Sequence, residues 1–304
     1  MDILVVGSVA FDTVETPFGQ GNEVLGGSAT YFSTAASFFA GVRLVAVVGE
    51  DFPAEHREFL QSRGIDLAGL QIVPGRTFRW KGRYGYDLNE AQTLETHLNV
   101  FEGFQPRLPE SFRDAEIVFL ANIDPELQAH VISQVKTPTA IVLDTMNFWI
   151  ESKFDRLMDV IEKVHMLIIN EGELREISKE HNLVKGARKL MARGPSCIIV
   201  KRGEYGVFMM NEEELFLAPA FPLEDVFDPT GAGDTFAGGF MGYLANVGDM
   251  SFDTIKQAIV MGTVMASFNV EEFSINRIKK LGYNEIRERY AAFKGCMQFD
   301  ECTL

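Results

Sequence analysis

Short, nearly unbroken apolar runs recur along the chain. Ile3–Val6, Val42–Gly49, Ile117–Asn122, Ile141–Asp144, Met166–Ile169 and Ser196–Lys201 are almost wholly apolar. A run without alternation predicts a strand buried on both faces, the usual condition in a parallel sheet. Between the runs, apolar residues recur at helical spacing. Asp51–Arg63 predicts a crossover helix with Phe59 and Leu60 inward. The stretch opened by Gly26-Gly27-Ser28 predicts a helix with Tyr31, Phe32, Ala35 and Phe39 on one face. Phe236, Phe240, Met241 and Leu244 predict another, Ile255–Phe268 a further one, and the amphipathic segment Arg277–Phe293 a terminal surface helix. Strand alternating with helix predicts an α/β fold. Asp144 would then sit at the carboxyl end of the sheet, where such folds bind ligands.

Residues 71–101 depart from that rhythm. Phe78, Trp80, Tyr84 and Tyr86 alternate with Arg79, Lys81, Arg83 and Gly85, and Gly82 interrupts the aromatic series. Period-two alternation predicts strands with one apolar and one polar face. The basic face could meet an anionic substrate, and the aromatic face could stack on a base. An ordinary half-buried sheet, or a dimer contact, is the plainer reading.

Composition narrows the function class. A length of 304 residues fits one large α/β domain or two modest ones. With 28 basic and 43 acidic residues the formal net charge is −15, which disfavours nucleic acid and anionic membranes as partners. A phosphate-bearing ligand in a locally positive pocket is compatible with it. Cys197, Cys296 and Cys302 form no CxxC pair, so no disulfide framework is expected and a reducing compartment is implied. The chain begins Met1-Asp2 and enters a strand at once, with no signal-like segment and no apolar stretch of membrane-spanning length. The expected location is cytoplasmic. The five histidines show no metal-ligand spacing.

The candidate chemistry lies in Phe227-Asp228-Pro229-Thr230-Gly231-Ala232-Gly233-Asp234-Thr235-Phe236. Small residues that open a helix leave amide N–H groups facing outward, at the positive end of the helix dipole. Asp234 falls in the first turn of that helix, beside the anion site. A carboxylate there can take a proton from a hydroxyl nucleophile while the amides stabilise charge on a transferred group. The plainer alternative is a helix start with a favourable acidic residue. No G-x-x-x-x-G-K-[ST] loop occurs, and G-x-G-x-x-G does not follow the first strand, which disfavours a dehydrogenase.

Asp228–Phe236 closely resembles the C-terminal signature of the PfkB, or ribokinase-like, carbohydrate kinases. Supporting matches run from residue 4 to about residue 273. The resemblance implies one ribokinase-like kinase domain over residues 1–304. It would be an α/β/α sandwich: a mostly parallel central sheet flanked by helices, with a small β-sheet lid from about 13–25 and 71–101. Such a lid excludes water, and its edge leaves a homodimer contact open. The implied reaction is transfer of the γ-phosphoryl of ATP, with Mg²⁺, to a hydroxyl of a sugar or sugar-like alcohol. A nucleoside is the alternative acceptor, and a ligand-binding sensor without turnover is a third reading.

The same resemblance assigns residues. Asp234 matches the catalytic base, and the backbone of Gly231, Ala232 and Gly233 the anion hole. Asp12 matches a sugar-hydroxyl-binding Asp after the first strand, although Ala10 stands where the family often has Asn. Gly26, Gly27 and Ser28 match a substrate-side signature, with Ser28, Thr30 and Tyr31 where many members place Asn. Asn170 and Glu173 match an Asn-x-x-Glu motif tied to Mg²⁺ and phosphate, directly or through water, and are equally a helix capping box. Lys201, Gly203, Gly206 and Thr230 match nucleotide-side positions, although Lys201 also reads as a solvated strand end. Asp228 and Thr230 match positions tied to a monovalent cation, so the resemblance raises a potassium requirement, with the loop 268–274 near the adenine.

Overall fold

The computed structural model describes residues 1–298. In chain order its strands are β1 (Ile3–Val6), β2 (Ala10–Thr16), β3 (Gly19–Gly26), β4 (Val42–Gly49), β5 (Ile65–Val73), β6 (Phe78–Tyr84), β7 (Ala91–His97), β8 (Ile117–Leu120), β9 (Ala140–Asp144), β10 (Met166–Asn170), β11 (Cys197–Lys201), β12 (Val207–Met210) and β13 (Leu215–Ala218). Nine of them form one sheet in the order β13-β12-β11-β10-β9-β8-β1-β4-β5. Pairing is parallel from β5 through β11; β12 and β13 extend the sheet antiparallel. The unbroken apolar runs have their reason here, because both faces are covered. In β1, Ile3 and Val5 join one core and Leu4 and Val6 the other.

Helices Ser28–Ala36, Ala54–Ser62, Ala232–Val247 and Phe252–Asn269 cover the first face, through residues such as Phe32, Leu60, Phe240 and Ile259. Helices Pro125–Ile132, Phe154–Ile161, Glu171–Ser178 and Leu183–Met191 cover the second, through Val131, Leu157, Leu174 and Leu190. The result is an α/β/α sandwich. Ser28–Ala36 is buried all round rather than on one face, and it ends before Phe39. It lies between the sheet and Ala232–Val247, with the backbones so close that a Cβ at Gly238 would come within 2.3 Å of the Phe32 carbonyl oxygen.

The C-terminal segment departs from expectation. Arg277–Phe293 is not one surface helix but two, Asn276–Lys280 and Tyr283–Cys296. Gly282 starts the second, its N–H donating to Glu285 Oε2 at 3.0 Å. Ile278, Ile286 and Phe293 are buried in a third core with Phe268. Cys197 is buried and Cys296 exposed, both as free thiols; Cys302 lies outside the described residues. Among the described residues no helix is long and apolar enough to cross a membrane.

A second sheet has the order β3-β2-β6-β7. Its central pair, β2 and β6, runs parallel, and the outer pairs run antiparallel. Residues 71–73 complete β5 of the main sheet instead. The basic face of β6 is neutralised by carboxylates of the same sheet and by Asp51 after β4. Arg79 pairs with Glu23 and Asp51, Lys81 with Glu15 and Glu95, and Arg83 with Glu15. Those cations are therefore not free for an anionic substrate. The opposite face carries Trp80 and Tyr84, with the Trp80 indole lying over Gly82.

Candidate active site

In the main sheet β1 is the point from which strand order runs both ways, to β4 on one side and β8 on the other. Open α/β sheets bind ligands outside the carboxyl ends of their strands at such a point. β1 delivers the chain into the small sheet there. Further along the same edge, β9 ends in Asp144, β10 in Asn170 and β11 in Lys201. Register aligns Asp144 with Ile168, and Asn170 with Lys201.

The signature loop closes on this edge. Gly231 caps the helix Ala232–Val247 with φ at 74°. A Cβ there would fall 2.4 Å from the Tyr31 ring, so both backbone conformation and packing call for glycine. The Ala232 N–H donates to the Pro229 carbonyl at 3.1 Å and so is not free. Among the described residues the amides of Gly231 and Gly233 have no backbone acceptor, so these two remain to face an anion. The loop is held from behind. Asp228 is fully buried; its Oδ1 accepts from the Thr230 N–H at 2.9 Å and its Oδ2 from the Ser274 N–H at 3.1 Å. Asn269 donates to the Thr230 carbonyl at 2.8 Å and accepts from the Thr235 hydroxyl at 3.1 Å. The sequence marked Thr235 only as part of the signature and Asn269 and Ser274 only as part of the loop 268–274, with no role in holding the anion loop. Their bonds span 34 to 46 residues, which no local pattern records.

Asp234 is half-buried, with part of its surface open to solvent. Burial and the neighbouring Asp144 charge push its carboxyl up to about 7, while the Lys201 ammonium pulls the other way. Lys201 Nζ donates to Asp144 Oδ2 at 3.0 Å. It also lies against the anion loop, where a Cβ on Gly233 would be 3.0 Å from it. Burial works against the ammonium, but Asp144, Glu173 and Asp234 outweigh it and hold Lys201 charged. Lys201 is therefore not a solvated strand end. Glu173 is buried in a complete capping box: its Oε2 accepts from the Asn170 N–H, and its own N–H donates to Asn170 Oδ1, both at 2.8 Å. Burial and the Asp144 charge raise its carboxyl to about 8.

Asp12, Gly26 and Gly27 lie together where β3 runs into the helix Ser28–Ala36. Gly26 lies under the Asp12 carboxylate so closely that a Cβ would sit 1.9 Å from Oδ2. Burial and the Asp228 charge raise Asp12 to about 7, against the Gly27 N–H that faces it. Ser28 is the first helical residue, and its hydroxyl is engaged with Ser8, whose N–H donates to it at 3.2 Å. Its role in this geometry is to lock the end of β1 to the helix. Tyr84 reaches over from the small sheet, and the Thr230 hydroxyl donates to its phenol oxygen at 3.4 Å. Gly203 abuts Asn89 at the tip of the small sheet, and Gly206 abuts the Ala218 carbonyl. Both glycines are thus closed off by protein on their Cβ side.

Among the described residues no group of three or more His, Cys, Asp or Glu is placed to hold a metal by protein ligands alone. Mg²⁺ in phosphoryl-transfer sites usually takes one or two carboxylates, with water and phosphate completing the shell. Glu173 fits that mode, since a buried carboxyl kept protonated near neutrality is one that a nearby cation would ionise.

The family description "pfkB family carbohydrate kinase" matches residues 2–279. A cytidine kinase from Thermococcus kodakarensis is 32% identical over 246 residues, covering 79% of this chain and 87% of the relative. A nucleoside kinase from Methanothermobacter thermautotrophicus is 25% identical, over 89% and 90% of the two chains. A solved structure of a putative ribokinase II from E. coli, in complex with ATP and Mg²⁺, superposes with a TM-score of 0.78 at 16% identity, covering 96% and 99% of the two chains. The chain therefore belongs to the pfkB family of carbohydrate kinases, ATP-dependent phosphotransferases that act on a hydroxyl group.

Proposed function

We propose that the chain phosphorylates a nucleoside, with Mg²⁺·ATP as donor and Asp234 as the base. One observation carries the choice of acceptor. Asp12 on β2 is in register with Trp80 on β6, so a carboxylate and an indole project from the same face of the small sheet, with Tyr84 further along it. A hydroxyl-binding carboxylate beside aromatic rings suits a ligand that joins a sugar to a flat base. The similarity to a cytidine kinase and a nucleoside kinase supports this reading.

When bound, Mg²⁺·ATP supplies the phosphoryl group and neutralises part of its charge. Asp12 accepts a hydrogen bond from a sugar hydroxyl. Asp234 takes the proton of the attacking hydroxyl as its oxygen bonds to phosphorus and the bond to ADP breaks. The Gly231 and Gly233 amides and the Lys201 ammonium stabilise charge on the moving group. The small sheet serves as a lid, keeping water from competing as acceptor. A monovalent cation at Asp228 would compete with the Thr230 and Ser274 amides already bonded there, so this reading does not depend on potassium.

A panel of free sugars, sugar phosphates and nucleosides, read by ADP release, is expected to show saturable turnover with nucleosides. Turnover confined to free sugars would overturn the acceptor assignment. Nucleoside binding without ADP from any compound would overturn catalysis.

The pH profile is a second expectation. Asp234 and Asp12 are both held up to about 7; Asp234 is a base only when ionised, and Asp12 is the stronger acceptor when ionised. As pH falls through 7 they protonate, so kcat/KM of the free enzyme should drop with an acid limb near neutrality. A profile flat down to the ordinary carboxylate range would contradict this arrangement.

A further inference from the structure

The segment that holds the signature loop from behind is itself gripped by the C-terminal helices. Arg289, on helix Tyr283–Cys296, directs its guanidinium at the end of helix Phe252–Asn269. Its Nη1 donates to the Ser267 hydroxyl at 3.2 Å and its Nη2 to Glu271 Oε1 at 2.6 Å, and its Cζ lies 3.5 Å from the centroid of the Phe268 ring. Arg277, on helix Asn276–Lys280, adds a second hold. Its Nε donates to Glu271 Oε2 at 2.8 Å, and its guanidinium lies 4.9 Å from the same ring centroid. Each Glu271 oxygen thus accepts from a different arginine. The side chains of Arg289, Arg277 and Glu271 are 16%, 19% and 23% exposed, so solvent and salt screen these pairs less than they would a surface bridge. Both cations also face the carboxyl end of a helix, the negative end of its dipole.

Between the gripped residues lie those that reach the signature. Asn269 follows Phe268 and bonds both the Thr230 carbonyl and the Thr235 hydroxyl. Val270 precedes Glu271, and its carbonyl accepts from the Phe227 N–H at 2.8 Å and the Asp228 N–H at 3.3 Å. Val270 is also the first residue past the helix, where a chain frays unless other groups hold it. A shift of the Phe268 ring or the Glu271 carboxylate is therefore passed to Asn269 and Val270 within one peptide unit, and through them to the loop.

We infer that Arg289 is a positioning residue for phosphoryl transfer. It acts with Arg277, through Phe268 and Glu271, to fix where the Gly231 and Gly233 amides stand. The inference rests on the reading of those amides as the anion hole. Donors aimed at a moving group work through placement, and a misplacement of about 1 Å costs on the order of 10²-fold in rate. The loss falls on the transition state more than on bound nucleotide, because charge on the transferred group is greatest there.

Arg289→Ala opens a gap between Phe268 and Glu271 that a guanidinium ion can fill. With ATP and the acceptor turned over fastest in the panel above, it should lower kcat on the order of tenfold, while the Kd of ADP stays within about twofold. Guanidinium chloride at low millimolar concentration should restore part of the loss. Urea at the same concentration, flat and of similar size but uncharged, should not. Arg289→Lys keeps the charge without the planar fork and should fall between the two proteins. It also carries the test if Arg289→Ala does not fold. A kcat within about twofold of wild type in the folded variants would overturn the inference. So would a fall in kcat matched by an equal loss of ADP affinity and indifferent to guanidinium, the pattern of a merely structural arginine. Asn269→Ala, which cuts the segment's own bonds to Thr230 and Thr235, separates the two premises. If it lowers kcat while the Arg289 variants do not, the arginine grip alone is wrong. If all are silent, the anion-hole reading falls as well.

Discussion

Replacing Asp234 by Asn should lower kcat by about 10²–10⁴-fold, the range a positioned general base contributes, while ATP binds as before. Asp234 lies in the first turn of a helix opened by Gly231, beside two amides free of backbone acceptors and the Lys201 ammonium. Asn keeps the size and the capping geometry but accepts no proton, so anion binding should survive and proton transfer should not. Loss of fold is not a competing explanation. The folded carboxyl is raised to about 7, from an ordinary value near 3.8. A raised acid favours the folded state most fully below its unfolded pKa, and that contribution is lost as pH rises through the folded one. At pH 8 the ionised carboxylate therefore opposes folding, and the Asn variant should melt no lower than the wild type. Steady-state kinetics, nucleotide titration and a thermal melt separate these outcomes. A kcat near that of the wild type would remove Asp234 from the base role.

Much of this was legible in the chain. The nearly unbroken runs at Ile3–Val6 and Val42–Gly49 pointed to strands covered on both sides, and the structure places them side by side in the main sheet. Four residues at the signature showed where a helix would start and which carboxylate would stand at its mouth. Other features depended on distant partners. The basic residues of β6 looked available until Glu15 and Glu23, more than fifty positions earlier, arrived across the sheet. Ser28 read as a substrate contact, but Ser8 takes its hydroxyl. Glu173 supported a cap and a metal reading together; the cap is visible in both of its bonds, and the buried carboxyl that remains keeps the other reading physically sensible. Helix periodicity in 277–293 persisted across Gly282 because both helices share one core, so the break carried no signal in the apolar pattern.

Lys201→Met should be the other severe lesion, and its signature should be a displaced pH profile. Lys201 Nζ is 3.0 Å from Asp144 and lies against Gly233, and its charge lowers the pKa of both Asp234 and Glu173. Met retains most of the volume without the charge. Two effects then act in the same direction. The moving phosphoryl loses a cation, which by analogy with removing one donor from an oxyanion site lowers kcat by about 10²–10³-fold. Asp234 also loses the one influence named here that favours its ionised form through an opposite charge, so a smaller fraction is competent at neutral pH. The sign follows: the acid limb moves to higher pH, and raising the pH restores the second part of the loss but not the first. Removing one member of a buried ion pair also destabilises, by up to ~3–5 kcal/mol. For that reason Lys201→Met is compared with the double variant Asp144→Asn/Lys201→Met, in which Asp144 is not left as a buried charge without its hydrogen-bonded cation. Lys201→Arg, which retains the charge, should keep the acid limb in place even if its bulk near Gly233 slows turnover. A Lys201→Met protein whose limb does not move would show that the ammonium acts only as a structural partner of Asp144. The base would then be tuned by burial and by Asp144 alone.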